Sequence, residues 1–259
     1  METESTRNHE TLTLERVGPV LHLWLNRPEK RNPLGPDALQ ELIDVFTSVS
    51  TDFDVRCVVV GGRGPSFSGG ADLRAPTPER SADPTSRERR WGSQLGHRMA
   101  RAVDECEVPT IARLHGHVVG GAAVLAMACD FRIAADDTSF WIPELDLGIP
   151  LTWGAVPLLI RECGMARARE AVVMCDRISA VTAERWGMAH KVVPMDSLDA
   201  AVDEWAQRLC AKPATAMSMT TSQFRAYSAA FRLGDLTELD GDLLAGGSAS
   251  PEFRERFRR

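Results

Sequence analysis

Short apolar runs, some of them alternating with polar residues, predict a series of β-strands along the chain. The stretch from Val20 to Asn26 alternates apolar and polar side chains before ending apolar, which is typical of a strand. The run CVVVGG from Cys57 to Gly62 is continuously apolar and β-branched, which indicates a strand buried on both faces of a parallel sheet. Three further short runs predict strands in the same way, TIARL, FRIAA and SFWIP, while HKVVP interrupts the helical pattern that follows them.

Between these strands the apolar residues recur at the spacing of helices. In GPDALQELIDVFTSVS they lie three or four positions apart, with Pro36 in the first turn, so we expect an amphipathic helix there. A second amphipathic stretch carries Leu95, Met99 and Val103 and ends before Pro109. Further helices are predicted over residues 121–128, 155–162, 166–174, 182–186, 198–211 and 214–230.

The order of these elements predicts an α/β core followed by a mostly helical C-terminal third. Strand, helix and buried strand over residues 20–62 form one β-α-β unit, and residues 95–128 are predicted to form a second unit that repeats it. The sequence contains no strict repeat and no low-complexity block.

Composition narrows the class of protein. The chain has 259 residues, 44% of them hydrophobic, which is enough for one large core or two small ones. Its net charge of -6 argues against a dedicated nucleic-acid-binding protein, which would carry a basic face. The polar N-terminus lacks the features of a signal peptide, and no apolar run reaches the length of a membrane span, so we expect a cytoplasmic protein.

Metal and phosphate motifs are weak in this sequence. The six cysteines include no CxxC pair and are interpreted as reduced core residues. His115 and His117 have no nearby third ligand, so we predict no metal site. The glycine-rich GGRGPSFSGG does not match a P-loop or GxGxxG.

The segment from Arg74 to Trp91 has three prolines, several arginines and few apolar residues. This composition predicts a loop or mobile stretch. Two interpretations stay open: a solvated surface loop, or a lid whose arginines contact phosphate.

Two glycine turns, each after a buried strand, are the first candidate for chemistry. SFSGGAD follows CVVVGG, and GHVVGGAA follows TIARL. Ligands bind at the carboxyl ends of strands in α/β sheets, and glycines there expose backbone N–H groups. Two such N–H groups could converge on one oxygen and stabilise negative charge, as in an oxyanion hole. The alternative is that the glycines only permit tight turns and close helix packing.

Glu144 is the second candidate, because its neighbours in the sequence are apolar and aromatic. A carboxylate next to Trp141, Ile142 and Pro143 would lose solvation, and its pKa would rise. A desolvated carboxylate is a candidate general acid or base. The alternative is a glutamate that caps a backbone group or pairs with an arginine.

Five segments together resemble the crotonase superfamily, also called the enoyl-CoA hydratase/isomerase family. They follow one another in the family's order and spacing, from Leu25 to Pro194, so the resemblance covers most of the chain. The segments are LNRPEKRNPLG, FSGGADL, GGAAVLAMACDFRIAADDTSF, PELDLGIP and DRISAVTAERWGMAHKVVP.

The resemblance implies a crotonase (ClpP-like) fold of repeated β-β-α units with a helical C-terminal region. It implies a core over residues 1–195 and a helical trimerisation region over residues 196–259, in a homotrimer or hexamer. The substrate would be an acyl-CoA thioester, with coenzyme A as part of the substrate and no other cofactor required. Nucleic acid and membrane are not implied as partners.

The resemblance also implies roles for individual residues. The backbone N–H groups of Ala71 and Gly121 match the donors to the thioester oxygen, and Glu144 matches the acid/base residue. Gly121 would need no side chain because the thioester must approach its N–H closely. Residues that would lie along the coenzyme A are Lys30, Arg31, Gly69, Asp72 and Leu73.

The family's hydratases resemble one another in a second glutamate in the first turn of the GGAAV helix, where this chain has Val124. One base is enough to move a double bond, by taking a proton from C2 of a 3-enoyl-CoA and returning it to C4. The favoured reaction is therefore enoyl-CoA isomerisation, with trans-2-enoyl-CoA hydration as an alternative. A non-catalytic acyl-CoA-binding scaffold is a further alternative.

A second departure follows Pro150, where LTWGA stands in place of the glycine-rich turn that is frequent in hydratases. Thr152 and Trp153 are predicted to shape the acyl pocket together with Val124 and Trp141. For Trp153 the alternative is packing at a helix start. The C-terminus is shorter than the family's usual arm, so no contact from it is predicted.

Overall fold

A computed structural model describes residues 5–72, 85–230 and 239–257. Within these ranges the chain forms ten strands and ten α-helices. The strands are β1 Ser5–Asn8, β2 Leu12–Val17, β3 Val20–Leu25, β4 Cys57–Gly62, β5 Thr110–Leu114, β6 His117–Val119, β7 Phe131–Ala135, β8 Ser139–Trp141, β9 Ile178–Ser179 and β10 Lys191–Val193. The helices are α1 Pro36–Val49, α2 Ser86–Ser93, α3 Leu95–Asp104, α4 Gly121–Ala128, α5 Ala155–Met174, α6 Ala180–Trp186, α7 Leu198–Cys210, α8 Ala214–Ala230, α9 Asp240–Ser248 and α10 Pro251–Phe257.

The strands form a large sheet and a small one. The large sheet has the order β1-β2-β3-β4-β5-β7-β10, antiparallel from β1 to β3 and parallel from β3 onward. The small sheet has the order β6-β8-β9. The chain alternates between the sheets: β5 is followed by β6 and α4, and β7 by β8 and α5. These are the β-β-α units that we predicted, and the fold class is confirmed.

Hydrophobic cores lie on both faces of the large sheet. The larger core joins the sheet to α1, α3, α4 and α5, with Leu23, Phe46, Met99 and Leu125 almost fully buried. The smaller core lies on the other face, where α7 packs against β4, β5 and β7. The predicted helical region of residues 196–259 includes α7. This part of the region therefore packs directly on the large sheet.

Most predicted elements match the structure, and the exceptions have local causes. The predicted helices over residues 155–162 and 166–174 are the two halves of α5, which meet at a kink where Gly164 has φ 75°. The prediction of a loop over Arg74 to Trp91 is wrong from residue 86 onward, because α2 begins there. Thr85 and Glu88 form a reciprocal capping box, which satisfies backbone N–H groups at the start of α2. Residues 74–84 lie outside the described ranges.

No helix in the described parts of the chain has both the length and the apolarity needed to cross a membrane.

Candidate active site

The small sheet brings the two glycine turns and the Glu144 segment side by side. Ser68 forms a parallel bridge with Val118 of β6, and β6 pairs in parallel with β8. The Ser68 N–H donates to the His117 carbonyl at 3.1 Å, and the Val119 N–H donates to the Ser68 carbonyl at 3.2 Å. Glu144 follows β8 by three residues, so all three segments leave the small sheet at one end.

The two predicted oxyanion donors lie at adjacent turns. A Cβ atom added to Gly70 would lie 3.4 Å from the Gly121 nitrogen, so the turn before Ala71 touches the start of α4. Within the described ranges, no protein acceptor is found for the Ala71 or Gly121 N–H. Gly121 is the first residue of α4, where backbone N–H groups have no partner within the helix and carry partial positive charge. The pair is therefore free to bind an oxygen.

The first turn is held by Asn32, a residue that the sequence analysis did not single out. Asn32 is 2% exposed, and its Nδ2 donates to the carbonyls of Arg63, Ser66 and Phe67 at 2.9, 3.0 and 3.1 Å. Its backbone carbonyl accepts from the Ser68 hydroxyl at 2.6 Å. The signal for it was an asparagine before a proline in KRNPLG, since asparagine tolerates the left-handed backbone that Asn32 adopts at φ 53°.

Glu144 points its carboxyl group at the second turn. A Cβ atom on Gly120 would lie 2.4 Å from Glu144 Oε1, so only glycine leaves room for the carboxyl group at that position. Glu144 Oε2 is buried without a hydrogen-bond partner in the protein. Burial raises the pKa of Glu144 to about 7. The predicted rise is confirmed in direction, and a carboxyl group with this pKa can both accept and return a proton near neutral pH.

Gly120 also requires glycine for its backbone. Its φ of 51° and ψ of -116° lie in a region that side chains with a Cβ atom avoid. Its N–H donates to the Trp141 carbonyl at 2.8 Å, which ties the turn to β8. The backbone of Trp141 therefore positions the turn against Glu144.

Close packing against the indole of Trp153, which the sequence analysis did not predict, requires glycine at position 121. A Cβ atom there would lie 2.3 Å from Cζ3 of Trp153, and a Cβ atom on Gly96 would lie 2.1 Å from the same indole ring. The indole of Trp153 therefore fills a slot between α3 and the start of α4. The indole thus packs at a helix start, that of α4, as one of the two alternatives for Trp153 predicted, and it is not in the wall of the apolar gap beside Gly120.

A narrow apolar gap lies beside the Gly120 turn, with about 180 Å³ of space between atoms but no room for a water molecule. Val124 is 3% exposed and belongs to its wall. The lining residues are Gly120, Ala123, Val124, Met127, Ile142, Leu151, Ala155 and Leu159. The gap therefore gives this side of the site a closely packed apolar wall.

The comparisons with known proteins agree with this geometry. The sequence profile of the enoyl-CoA hydratase/isomerase family matches residues 15–255. The chain belongs to the enoyl-CoA hydratase/isomerase family. A crotonyl-CoA hydratase from Syntrophomonas wolfei is 34% identical over 213 residues, which cover 82% of this chain and 80% of that protein.

Relatives in the enoyl-CoA hydratase/isomerase family are named either as hydratases or as isomerases. A mitochondrial Delta(3,5)-Delta(2,4)-dienoyl-CoA isomerase from Rattus norvegicus is 31% identical, over 74% of this chain and 62% of that protein. The crystal structure of an enoyl-CoA hydratase/isomerase from Xanthobacter autotrophicus Py2 superimposes with a TM-score of 0.85 at 30% identity, covering 96% of this chain and 91% of that one. An acyl-CoA thioester is thus the substrate of the family.

The residues predicted to contact coenzyme A lie around the first turn. Lys30 and Arg31 are exposed, and the Arg31 carbonyl accepts from the Gly69 N–H at 2.7 Å. The Asp72 N–H donates to the Leu34 carbonyl at 3.3 Å. Leu73 lies outside the described residues. The described members of the set therefore share one surface next to Ala71.

Trp141 and Thr152 were predicted to shape the acyl pocket, but neither side chain belongs to the wall of the apolar gap beside Gly120. The Trp141 indole donates to the Cys175 carbonyl at 2.8 Å and lies under the Arg177 guanidinium, so its side chain packs against residues 175–177. Thr152 is buried at 7% exposure, and its carbonyl accepts from the Ala155 N–H at the start of α5.

Metal ligands are not grouped in the part of the chain that the structure describes. No set of three or more His, Cys, Asp or Glu side chains is placed there to hold an ion.

Proposed function

We propose that this enzyme isomerises the double bond of an enoyl-CoA, with Glu144 as the single acid/base residue. The observation that carries the proposal is that a single carboxyl group, that of Glu144, and the apolar side chain of Val124 lie on either side of the Gly120 turn. Glu144 offers one carboxylate with a pKa raised to about 7, and the buried Val124 side chain can neither accept nor donate a hydrogen bond.

The proposed reaction begins with the thioester oxygen bound by the Ala71 and Gly121 N–H groups. Glu144 removes a proton from C2 of a 3-enoyl-CoA, and the electron pair moves into a dienolate whose negative charge rests on the thioester oxygen. The two N–H donors stabilise that charge, and each is worth about 2.7–4 kcal/mol in comparable sites. The protonated Glu144 then returns the proton to C4, which gives the conjugated 2-enoyl-CoA.

The apolar wall favours isomerisation over hydration. Hydration requires a water molecule held and activated beside C3, and the Val124 side chain offers it no hydrogen bond. Excluding water also protects the dienolate from other protonation. Coenzyme A enters as part of the substrate, and we propose that proton transfer uses no further cofactor.

A paired turnover assay tests the proposal. The wild-type enzyme and Glu144→Gln are each given 3-enoyl-CoA and trans-2-enoyl-CoA. We expect the wild type to convert the 3-enoyl substrate faster than it hydrates the 2-enoyl substrate, and Glu144→Gln to lose about 10²–10⁴-fold in rate. Faster hydration than isomerisation would overturn the proposed reaction. Thioester binding without turnover of either substrate would instead favour a non-catalytic acyl-CoA-binding protein.

We further propose that the enzyme is a cytoplasmic homotrimer or a hexamer built from two trimers. The support is the exposed apolar surface of α8, where Met219, Phe224 and Tyr227 are 65%, 74% and 70% exposed. Contact between copies of the chain would remove these side chains from water.

A further inference from the structure

The segment that carries Trp153 is held from outside by α9. The Gly154 N–H donates to Asp240 Oδ2 at 2.6 Å, and Asp240 is the first residue of α9. At the other end of α9, a Cβ atom on Gly247 would lie 2.8 Å from Pro150 Cδ. The helix therefore contacts residues 149–154 at both of its ends.

The backbone at Trp153 adopts a conformation that needs such an anchor. Trp153 has φ 63° and Gly154 has φ 73°, so two consecutive residues are left-handed. A bulky residue at positive φ is disfavoured and persists where its surroundings fix it. The carboxylate of Asp240 on the Gly154 N–H is a charge-assisted hydrogen bond next to this turn.

The indole of Trp153 lies next to the proposed active site. Its ring touches the Cα faces of Gly96 and Gly121, and the Gly121 N–H is the proposed oxyanion donor. Leu151 of the same segment lines the apolar gap together with Val124. A shift of residues 149–154 would therefore change both the wall of the gap and the slot beside the oxyanion turn.

We propose that Asp240 is a positioning residue that fixes Trp153 against Gly121 and so restricts the enzyme to thioesters of short acyl chains. The inference rests on the proposed function, since it assigns the substrate class of the same site. The apolar gap between Leu151 of this segment and Val124 has no room even for a water molecule, so a long acyl chain could enter it only if residues 149–154 moved.

Two variants and a matched control test this inference. Trp153→Gly removes the indole and suits φ 63°, while Asp240→Ala keeps the indole and removes the carboxylate that accepts from the Gly154 N–H. Asp242→Ala is the control, because Asp242 lies on the same helix but pairs with Arg90, at 3.1 Å between Nε and Oδ1, and does not contact Gly154. Each variant is assayed with 3-hexenoyl-CoA and 3-dodecenoyl-CoA.

We expect the ratio of kcat/KM for dodecenoyl to hexenoyl substrate to rise about tenfold in Trp153→Gly and about threefold in Asp240→Ala. The ratio in Asp242→Ala should equal that of the wild type. Asp240→Asn keeps an acceptor oxygen and should restore most of the wild-type ratio. If Asp240 acts through Trp153, adding Asp240→Ala to Trp153→Gly changes the ratio no further.

Binding measurements separate failure of this inference from failure of the proposed reaction. The Kd values of saturated hexanoyl-CoA and dodecanoyl-CoA, measured by calorimetry, should shift by the same factors even if neither enoyl substrate turns over. Equal preference for the two chain lengths in the wild type would overturn the inference. An Asp240→Ala ratio that matches the wild type, beside a raised ratio in Trp153→Gly, would overturn the role of Asp240.

Discussion

Burial raises the pKa of the Glu144 carboxyl group to about 7. Its surroundings explain this value: one oxygen lies against Gly120, and the other has no protein partner. The charged form thus lacks the solvation that it would have in water. A carboxyl group with this pKa can accept a proton and, once protonated, return it near neutral pH.

The rate should therefore depend on pH through Glu144. Only the deprotonated free enzyme can remove the proton, so kcat/KM for a 3-enoyl-CoA should rise with pH and level off above about 7. At pH 6 we expect a value about tenfold below the plateau. A pH-rate profile with a short-chain substrate checks this, and a profile that is flat from pH 5 to pH 8 would contradict it.

The same pKa affects stability. The folded-state pKa lies above that of the unfolded chain, so the folded state binds the proton more tightly, and stability falls as pH rises from about 4.5 to about 7. Glu144→Gln removes the buried charge. It should raise the free energy of unfolding by about 1–3 kcal/mol more at pH 8 than at pH 4.5, measured by urea titration. An equal change at both pH values would contradict this assignment.

At the scale of elements, the site depends on how the small sheet aligns three chain segments. The strands that precede the glycine turns were predictable, because continuous apolar runs end at each turn. The alignment itself was not predictable, because Ser68 and Val118 join through a single bridge that leaves no periodic pattern. The amphipathic α1 and α3 were predictable from their spacing, whereas α2 is mostly polar and is marked only by its capping box.

Asn32 is the polar anchor of the first turn, and its removal should be costly. Asn32→Ala leaves the carbonyls of Arg63, Ser66 and Phe67 without their shared donor in a buried site. We expect a loss of about 2–3 kcal/mol in unfolding free energy, measured by denaturant titration. Asn26→Ala is the control, because Asn26 is exposed and its side chain donates to a single hydroxyl, that of Thr13. Equal losses in the two variants would contradict the anchoring role.

At the scale of the whole molecule, sequence similarity and fold identify the family, and local chemistry narrows the reaction. That Ala71, Gly121 and Glu144 lie near one another could be predicted, because they lie in segments that resemble the family's, and their roles at the site stay a proposal. The places of Trp153 and Asp240 were not, because their contacts join residues far apart in the chain. Sequence patterns also gave no sign of α9, since its apolar residues are few and three of its nine residues are glycines.

The proposed assembly makes a prediction at this scale. If α8 lies between copies of the chain, Phe224→Glu should reduce the mass in solution from that of a trimer or hexamer to that of one chain, measured by light scattering. Burying a charge at an apolar contact is unfavourable, while the exposed side chain of a monomer tolerates it. A wild-type protein that is monomeric at micromolar concentration would contradict the assembly.

The most direct test of the central claim follows the proton itself. A 3-enoyl-CoA carrying deuterium at C2 is converted in ordinary water, and the product is analysed by mass spectrometry and NMR. If one buried base moves the proton, deuterium should appear at C4 of the 2-enoyl product. A product with a hydroxyl group at C3, or one whose C4 proton comes entirely from solvent, would contradict isomerisation by Glu144 alone.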